Sequence, residues 1–186
     1  GSNATVAGGL WGDNHTRADA ITFTGGTNRL EFWSGATVVG RVVAAGTSTF
    51  ALGGAANGTF DLSQLGPASQ YQGFGTLAKS GTGTWTVSGA PGATMAWQVT
   101  GGTLDLGGTT QTASAFALTG GTLSNGTLSS TAGFDLQAGT VSAILAGTSG
   151  LAKTGAGDVT LTGVNTYSGA TAVSAGRLAV NGSIAS

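Results

Sequence analysis

The sequence predicts an all-β chain wound as a single-stranded parallel β-helix, a solenoid with coils of about 18–19 residues. Three observations predict it. First, residues 77–108, LAKSGTGTWTVSGAPGATMAWQVTGGTLDLGG, fall on residues 151–182, LAKTGAGDVTLTGVNTYSGATAVSAGRLAVNG, at a shift of 74 without a gap. Second, a shorter beat of the form Gly-x-Φ-x-Φ, with Φ usually apolar, starts at Gly83, Gly102, Gly121, Gly139, Gly157 and Gly176, in steps of 19, 19, 18, 18 and 19. Third, the two Φ positions alternate with mostly polar residues, as in a strand with one buried and one wet face.

The inward positions are expected to be Trp85, Leu104, Leu123, Val141, Val159 and Leu178, followed two residues later by Val87, Leu106, Asn125, Ala143, Leu161 and Val180. Asn125 breaks that pattern and, before Gly126, predicts a turn or an early strand end. A second run per step predicts an internal column of Trp97, Phe116 and Phe134. The steps that carry Lys79 and Lys153 are out of phase by one, with Leu77 and Leu151 six residues before the glycine. A step of this length is too short for a βαβ unit, which takes roughly 30 residues. Glycine and threonine at this density oppose helix, and a lone coil cannot bury its apolar side, so stacked neighbours must close the core.

Along the chain, residues 1–4, Gly-Ser-Asn-Ala, read as an expression-tag remnant. Residues 5–186 read as one β-helical domain, with irregular coils to about 76 and regular repeats over 77–186. In the irregular part, short runs at Ile21, Leu30, Val38, Val42, Phe50 and Gly58 predict about four coils, for about nine in all. Residues 63–75, SQLGPASQYQGFG, break the beat and are expected to be a loop thrown out from the coil.

Composition narrows the function. Charged residues are 7% of the chain and the net charge is −1, which opposes nucleic-acid binding. Hydrophobic residues reach 40%, which opposes a disordered chain. No apolar run approaches the roughly 20 residues of a membrane-crossing helix. Cysteine is absent, which removes disulfides and thiolate chemistry.

Residues 150–182 closely resemble the autotransporter-associated β-strand repeat of type V secreted passengers, and residues 83–89 and 120–150 look like the same passengers. The resemblance covers most of the chain from about Leu30. It implies a right-handed β-helical stalk at the bacterial cell surface or outer membrane, exported with an outer-membrane β-barrel translocator of the same parent chain. No signal sequence or translocator is read in this chain, so an excised passenger piece is expected. A host or surface receptor or a glycan is an implied partner, of unspecified identity. Export through a narrow pore gives the lack of cysteine a physical sense, since no disulfide closes before passage.

Candidate chemistry is thin. The carboxylates are Asp13, Asp19, Glu31, Asp61, Asp105, Asp135 and Asp158. Asp61 and Asp105 share an outward strand position but lie more than two coils apart, roughly 10 Å or more at the strand spacing. They are read as solvated residues or corner caps rather than an acid/base pair. His15, near Asp13 and Asp19, is read as a loop residue, since no nucleophile motif accompanies it and the ligand count for a metal is too low. The glycine corners lack the Gly-Lys-Ser/Thr of a phosphate loop. Trp85 and Trp97 are expected in the core, whereas Trp11 and Trp33 are candidate surface contacts. The sequence therefore predicts no catalytic residue, metal or cofactor, and a structural, display or adhesive role. The alternative is a carbohydrate-binding or carbohydrate-active β-helix. The exposed end coils predict either a monomer or end-to-end association.

Overall fold

Glycine-cornered strands stack in register, each coil laid on the one before. The fold is described from a computed structural model over residues 4–10 and 17–185. Among the described residues the named strands all pair in parallel, and the ladders join residues one coil apart. One side is an eight-stranded sheet: Thr27–Trp33, Thr47–Gly53, Thr76–Lys79, Ala96–Val99, Phe116–Leu118, Phe134–Leu136, Leu151–Lys153 and Thr171–Val173. The next is a seven-stranded sheet: Gly58–Asp61, Thr84–Ser88, Thr103–Asp105, Thr122–Ser124, Gly139–Val141, Asp158–Leu161 and Arg177–Val180. The third side is interrupted into short ladders, two of them three-stranded: Ile21–Phe23, Val42–Ala44 and Tyr71–Gln72, and Thr110–Ala113, Thr127–Ser130 and Ile144–Ala146. The stack makes about eight turns rather than nine, because two strands of the eight-stranded sheet, not four, precede residue 76.

The inward columns close the core. Phe50, Leu77, Trp97, Phe116, Phe134 and Leu151 lie one above another and are all buried. The rings of Phe116 and Phe134 meet edge-on, with centroids 6.3 Å apart. On the seven-stranded sheet Trp85, Leu104, Leu123 and Val141 stack in order. The next step is displaced: Val141 faces Leu161, and Val159 faces Gly139. The offset is two residues, so the same face stays inward and both Val159 and Leu161 remain buried. Leu178 lies on Val159 and is partly buried, because few side chains cover it from above.

Residues 63–75 differ from the expected outlying loop. A short 3-10 turn, Leu62–Gln64, opens the segment and the strand Tyr71–Gln72 closes it. Leu65, Tyr71 and Phe74 turn inward and are buried. Tyr71 packs on Phe32, Phe50 and Phe60, with ring centroids at 5.9, 4.9 and 5.8 Å. Burial of these three large apolar groups, not the irregular spacing, decides where the segment lies.

Asn125 ends the strand Thr122–Ser124 in a left-handed conformation, φ 54°. At the C-terminal end Val164, Val173 and Val180 are exposed, although the corresponding Val99 and Leu106 of earlier coils are buried. A core made by neighbours necessarily thins where neighbours stop. Among the described residues no helix is long and apolar enough to cross a membrane.

Candidate functional site

Two features of the solenoid carry side chains that the repeating core does not require. The first is the outer face of the eight-stranded sheet. Its outward positions line up in columns: one descends from Arg29 through Thr49, Thr76 and Ala96, and another from Glu31 through Ala51, Ala78, Gln98, Ala117, Asp135, Ala152 and Ala172. A third begins with Trp33 beside Gly53. The small side chains leave a trough of about 740 Å³ floored by Ala96, Ala115, Gly133, Gly150 and Ala170. The first strand supplies a bulky head to each column. Arg29 Nε donates to Glu31 Oε2 at 3.0 Å, Trp33 Nε1 donates to Glu31 Oε1 at 2.9 Å, and Arg29 Nη2 donates to Ser80 Oγ at 2.8 Å. Trp33, a candidate contact from the sequence, is 60% exposed, with its indole nitrogen already satisfied and its ring open to solvent. Trp11, Asp13, Asn14 and His15 lie outside the described residues.

The second feature is interior. Lys79 and Lys153 are the only lysines of the chain, and both are 0% exposed. They occupy inward positions, with Lys79 level with Leu52 and Val99, and Lys153 level with Leu136 and Val173. Each ammonium is held by backbone carbonyls. Lys79 Nζ donates to Ser80 O at 2.5 Å, Gly101 O at 3.2 Å and Gly81 O at 3.4 Å. Lys153 Nζ donates to Gly155 O, and to Ala175 O at 3.0 Å. Burial pushes the Lys79 ammonium below the ordinary lysine value, and the charge of Glu31 opposes that shift.

The lysines answer an irregularity of the corners. From the last inward residue of the eight-stranded sheet to the first of the next, Val99 to Leu104, Leu118 to Leu123, Leu136 to Val141 and Val173 to Leu178 each span five residues. Lys79 to Trp85 and Lys153 to Val159 each span six. Both lysines therefore stand at the start of a six-residue corner. Among the described residues, none of the carbonyls of Ser80, Gly81, Gly101, Gly155 and Ala175 accepts a backbone N–H. A buried acceptor without a partner is costly, and the ammonium supplies the missing donors. The sequence signal was present as the one-residue phase shift, but only the structure turns lysine inward.

Among the described residues the carboxylates do not converge. Asp61 accepts the Ser63 N–H at 2.9 Å, which holds its carboxyl below the usual range. Asp105 accepts the Gly107 N–H at 2.7 Å and Asn125 Nδ2 at 2.9 Å. They lie on strands either side of Thr84–Ser88, level with Ser88 and Thr86 respectively, so each caps its own corner. Asp135 accepts from Thr154 and Gln137, Asp19 pairs with Arg41, and Asp158 with Arg177. Among the described residues no group of three His, Cys, Asp or Glu residues could hold a metal.

The fold and these two features define a repeat-built β-solenoid with an outer trough lined mostly by small side chains and lysine-filled corners. Residues 77–106 and 151–180 each match the passenger-associated-transport-repeat, so two stretches of the chain are similar to that repeat. It is also similar to the adhesin BmaC autotransporter of Brucella suis biovar 1 (strain 1330), 52% identical over 46 residues. That match covers 25% of this chain and 1% of that protein. No solved structure matches the chain.

Proposed function

We propose that the chain is a stalk segment of an autotransporter passenger that supports export and surface folding, and displays or contributes to adhesion at the bacterial surface. The observation that carries this reading is the coincidence of the two matched repeats with stacked, mutually covering coils. Coils related by nearest-neighbour contacts can be added one at a time as a chain emerges, each on the last one formed. The partner implied is an outer-membrane β-barrel in the parent chain. The dispersed, individually engaged carboxylates favour a non-enzymatic role. Fusion of residues 5–186 to a translocator barrel tests the export part. Antibody-accessible, protease-resistant solenoid on intact cells is the expected result. Periplasmic retention, with the same barrel exporting an unrelated passenger, would refute it.

A glycan contact is the second reading, and Trp33 favours it: an open indole beside a planar Arg–Glu pair is a stacking and hydrogen-bonding surface. Loss of glycan-array signal in Trp33→Ala at unchanged stability is the expected result; an array blank for the unaltered chain removes this reading.

A further inference from the structure

The widened corners have the chemistry of a cation site. Lys79 Nζ is surrounded by oxygen dipoles, and its three hydrogen-bond acceptors, Ser80, Gly81 and Gly101, are all main-chain carbonyls. Lys153 repeats the arrangement 74 residues on, with Gly155 and Ala175. Among the described residues no carboxylate bonds to either ammonium, so the direct ligands are neutral, and the Glu31 charge acts on Lys79 from outside them. A neutral carbonyl cradle suits a singly charged cation; a divalent ion calls for carboxylate ligands. Glycine forms the roof in both copies. A Cβ on Gly102 would fall 2.6 Å from Lys79 Nζ and 2.4 Å from Gly83 O, and one on Gly176 would fall 2.7 Å from Lys153 Nζ. Both glycines have positive φ, 61° and 65°.

The cradle joins two coils. Ser80 and Gly81 belong to the coil of Lys79, whereas Gly101 belongs to the next. Gly155 and Ala175 divide in the same way around Lys153. Each matched repeat, 77–106 or 151–180, contains the lysine and all of its acceptors, and is therefore longer than one coil. The lysine-free coils between them use five-residue corners.

We propose that each of the two widened corners that begin at Lys79 and Lys153 is a binding site for one desolvated monovalent cation, that the repeat's own lysine is that cation, and that the passenger-associated-transport repeat is the unit, longer than one coil, that closes the site. The lysine thereby latches successive coils in one register. An apolar side chain of equal length fills the space and leaves the carbonyls unpaired, whereas a free ammonium ion restores the pairing.

The test uses the full chain with Lys153→Ala and Lys153→Met, unfolded in urea with ammonium, potassium or tetramethylammonium chloride at equal ionic strength. Both variants are expected to lose on the order of tenfold or more in folded-to-unfolded ratio. Ammonium or potassium should recover part of that loss in Lys153→Ala, tetramethylammonium none, and the unaltered chain should not distinguish the three salts. Equal stability of Lys153→Met and the unaltered chain, or identical recovery in all three salts, overturns the proposal. Amine labelling of the unaltered chain, read by mass spectrometry, remains decisive if neither variant folds. Lys79 and Lys153 should stay unmodified until urea unfolds the chain; modification at the rate of a free amine overturns the site.

Discussion

Trp85 donates its indole N–H to the carbonyl of Gly53, 2.9 Å away on the preceding coil. That corner, from Leu52 to Gly58, also spans six residues, and here a tryptophan supplies the donor that lysine supplies at the other two. The indole nitrogen of Trp97, equally buried, has no partner among the described residues. The two tryptophans therefore separate hydrogen bonding from volume. Trp85→Phe and Trp97→Phe remove the same atoms, but only the first removes a bond and leaves a carbonyl exposed to apolar surroundings. Trp85→Phe should be the more destabilising by about 1–3 kcal/mol. Urea unfolding of both variants checks this; equal losses would show that the indole bond contributes nothing.

Close approach of coils makes a second contrast. A Cβ on Gly163 would stand 2.3 Å from the Ala143 carbonyl oxygen of the coil below, whereas one on Gly75 would meet nothing within 4 Å. Gly163→Ala must push two backbones apart, with a cost of about 1–3 kcal/mol. Gly75→Ala keeps the spacing and reduces the freedom of the unfolded chain, for a gain of up to about 1 kcal/mol. Thermal unfolding midpoints should move in opposite directions, and a shared direction would mean that coil spacing is not set by these glycines.

Much of this architecture was legible because it rests on periodicity. The glycine beat located Leu104, Leu123 and Val141 as a stacked column and Trp97, Phe116 and Phe134 as another. What escaped the sequence was any choice decided by three-dimensional burial. Leu65, Tyr71 and Phe74 lie in a stretch whose spacing says loop, yet their apolar area draws them into the core. Lys79 and Lys153 are charged residues that reading by residue type places outside. Their inward orientation depends on carbonyls freed by a neighbouring coil, a partner that linear spacing does not reveal. The two-residue offset of Val159 against Val141 arises beyond the same widened corner. Asn125 was legible as an interruption, but its bond to Asp105, 20 residues back, was not.

Asn125 gives a conformational prediction. At φ 54° it occupies a region that costs a branched side chain about 1–2 kcal/mol. Asn125→Gly should be close to neutral, losing the 2.9 Å bond to Asp105 but relieving the backbone. Asn125→Val restores the apolar pattern expected from the other coils, yet it should destabilise by the conformational cost together with the lost bond. Denaturant midpoints of the two variants decide: a valine variant as stable as the glycine variant would mean that the turn reforms with negative φ.

Alkaline stability follows from Tyr71. Burial among Phe32, Phe50 and Phe60 raises its phenol from 10.0 to about 12. Between those values the unfolded chain releases the proton and the folded chain retains it. The unfolded state then binds fewer protons, so stability falls as pH rises from 10 toward 12, and the contribution is fully present below 10. Lys79, held below its ordinary value by burial, acts in the opposite sense as its ammonium titrates, because there the unfolded state binds more protons. The net slope of the unaltered chain mixes the two. Comparison with Tyr71→Phe removes only the phenol, so the difference between the chains isolates it. Urea midpoints measured from pH 9 to 12 should fall more steeply for the unaltered chain than for Tyr71→Phe, with the curves parallel below pH 10. Parallel curves throughout would place the Tyr71 hydroxyl in water rather than at the edge of the aromatic core.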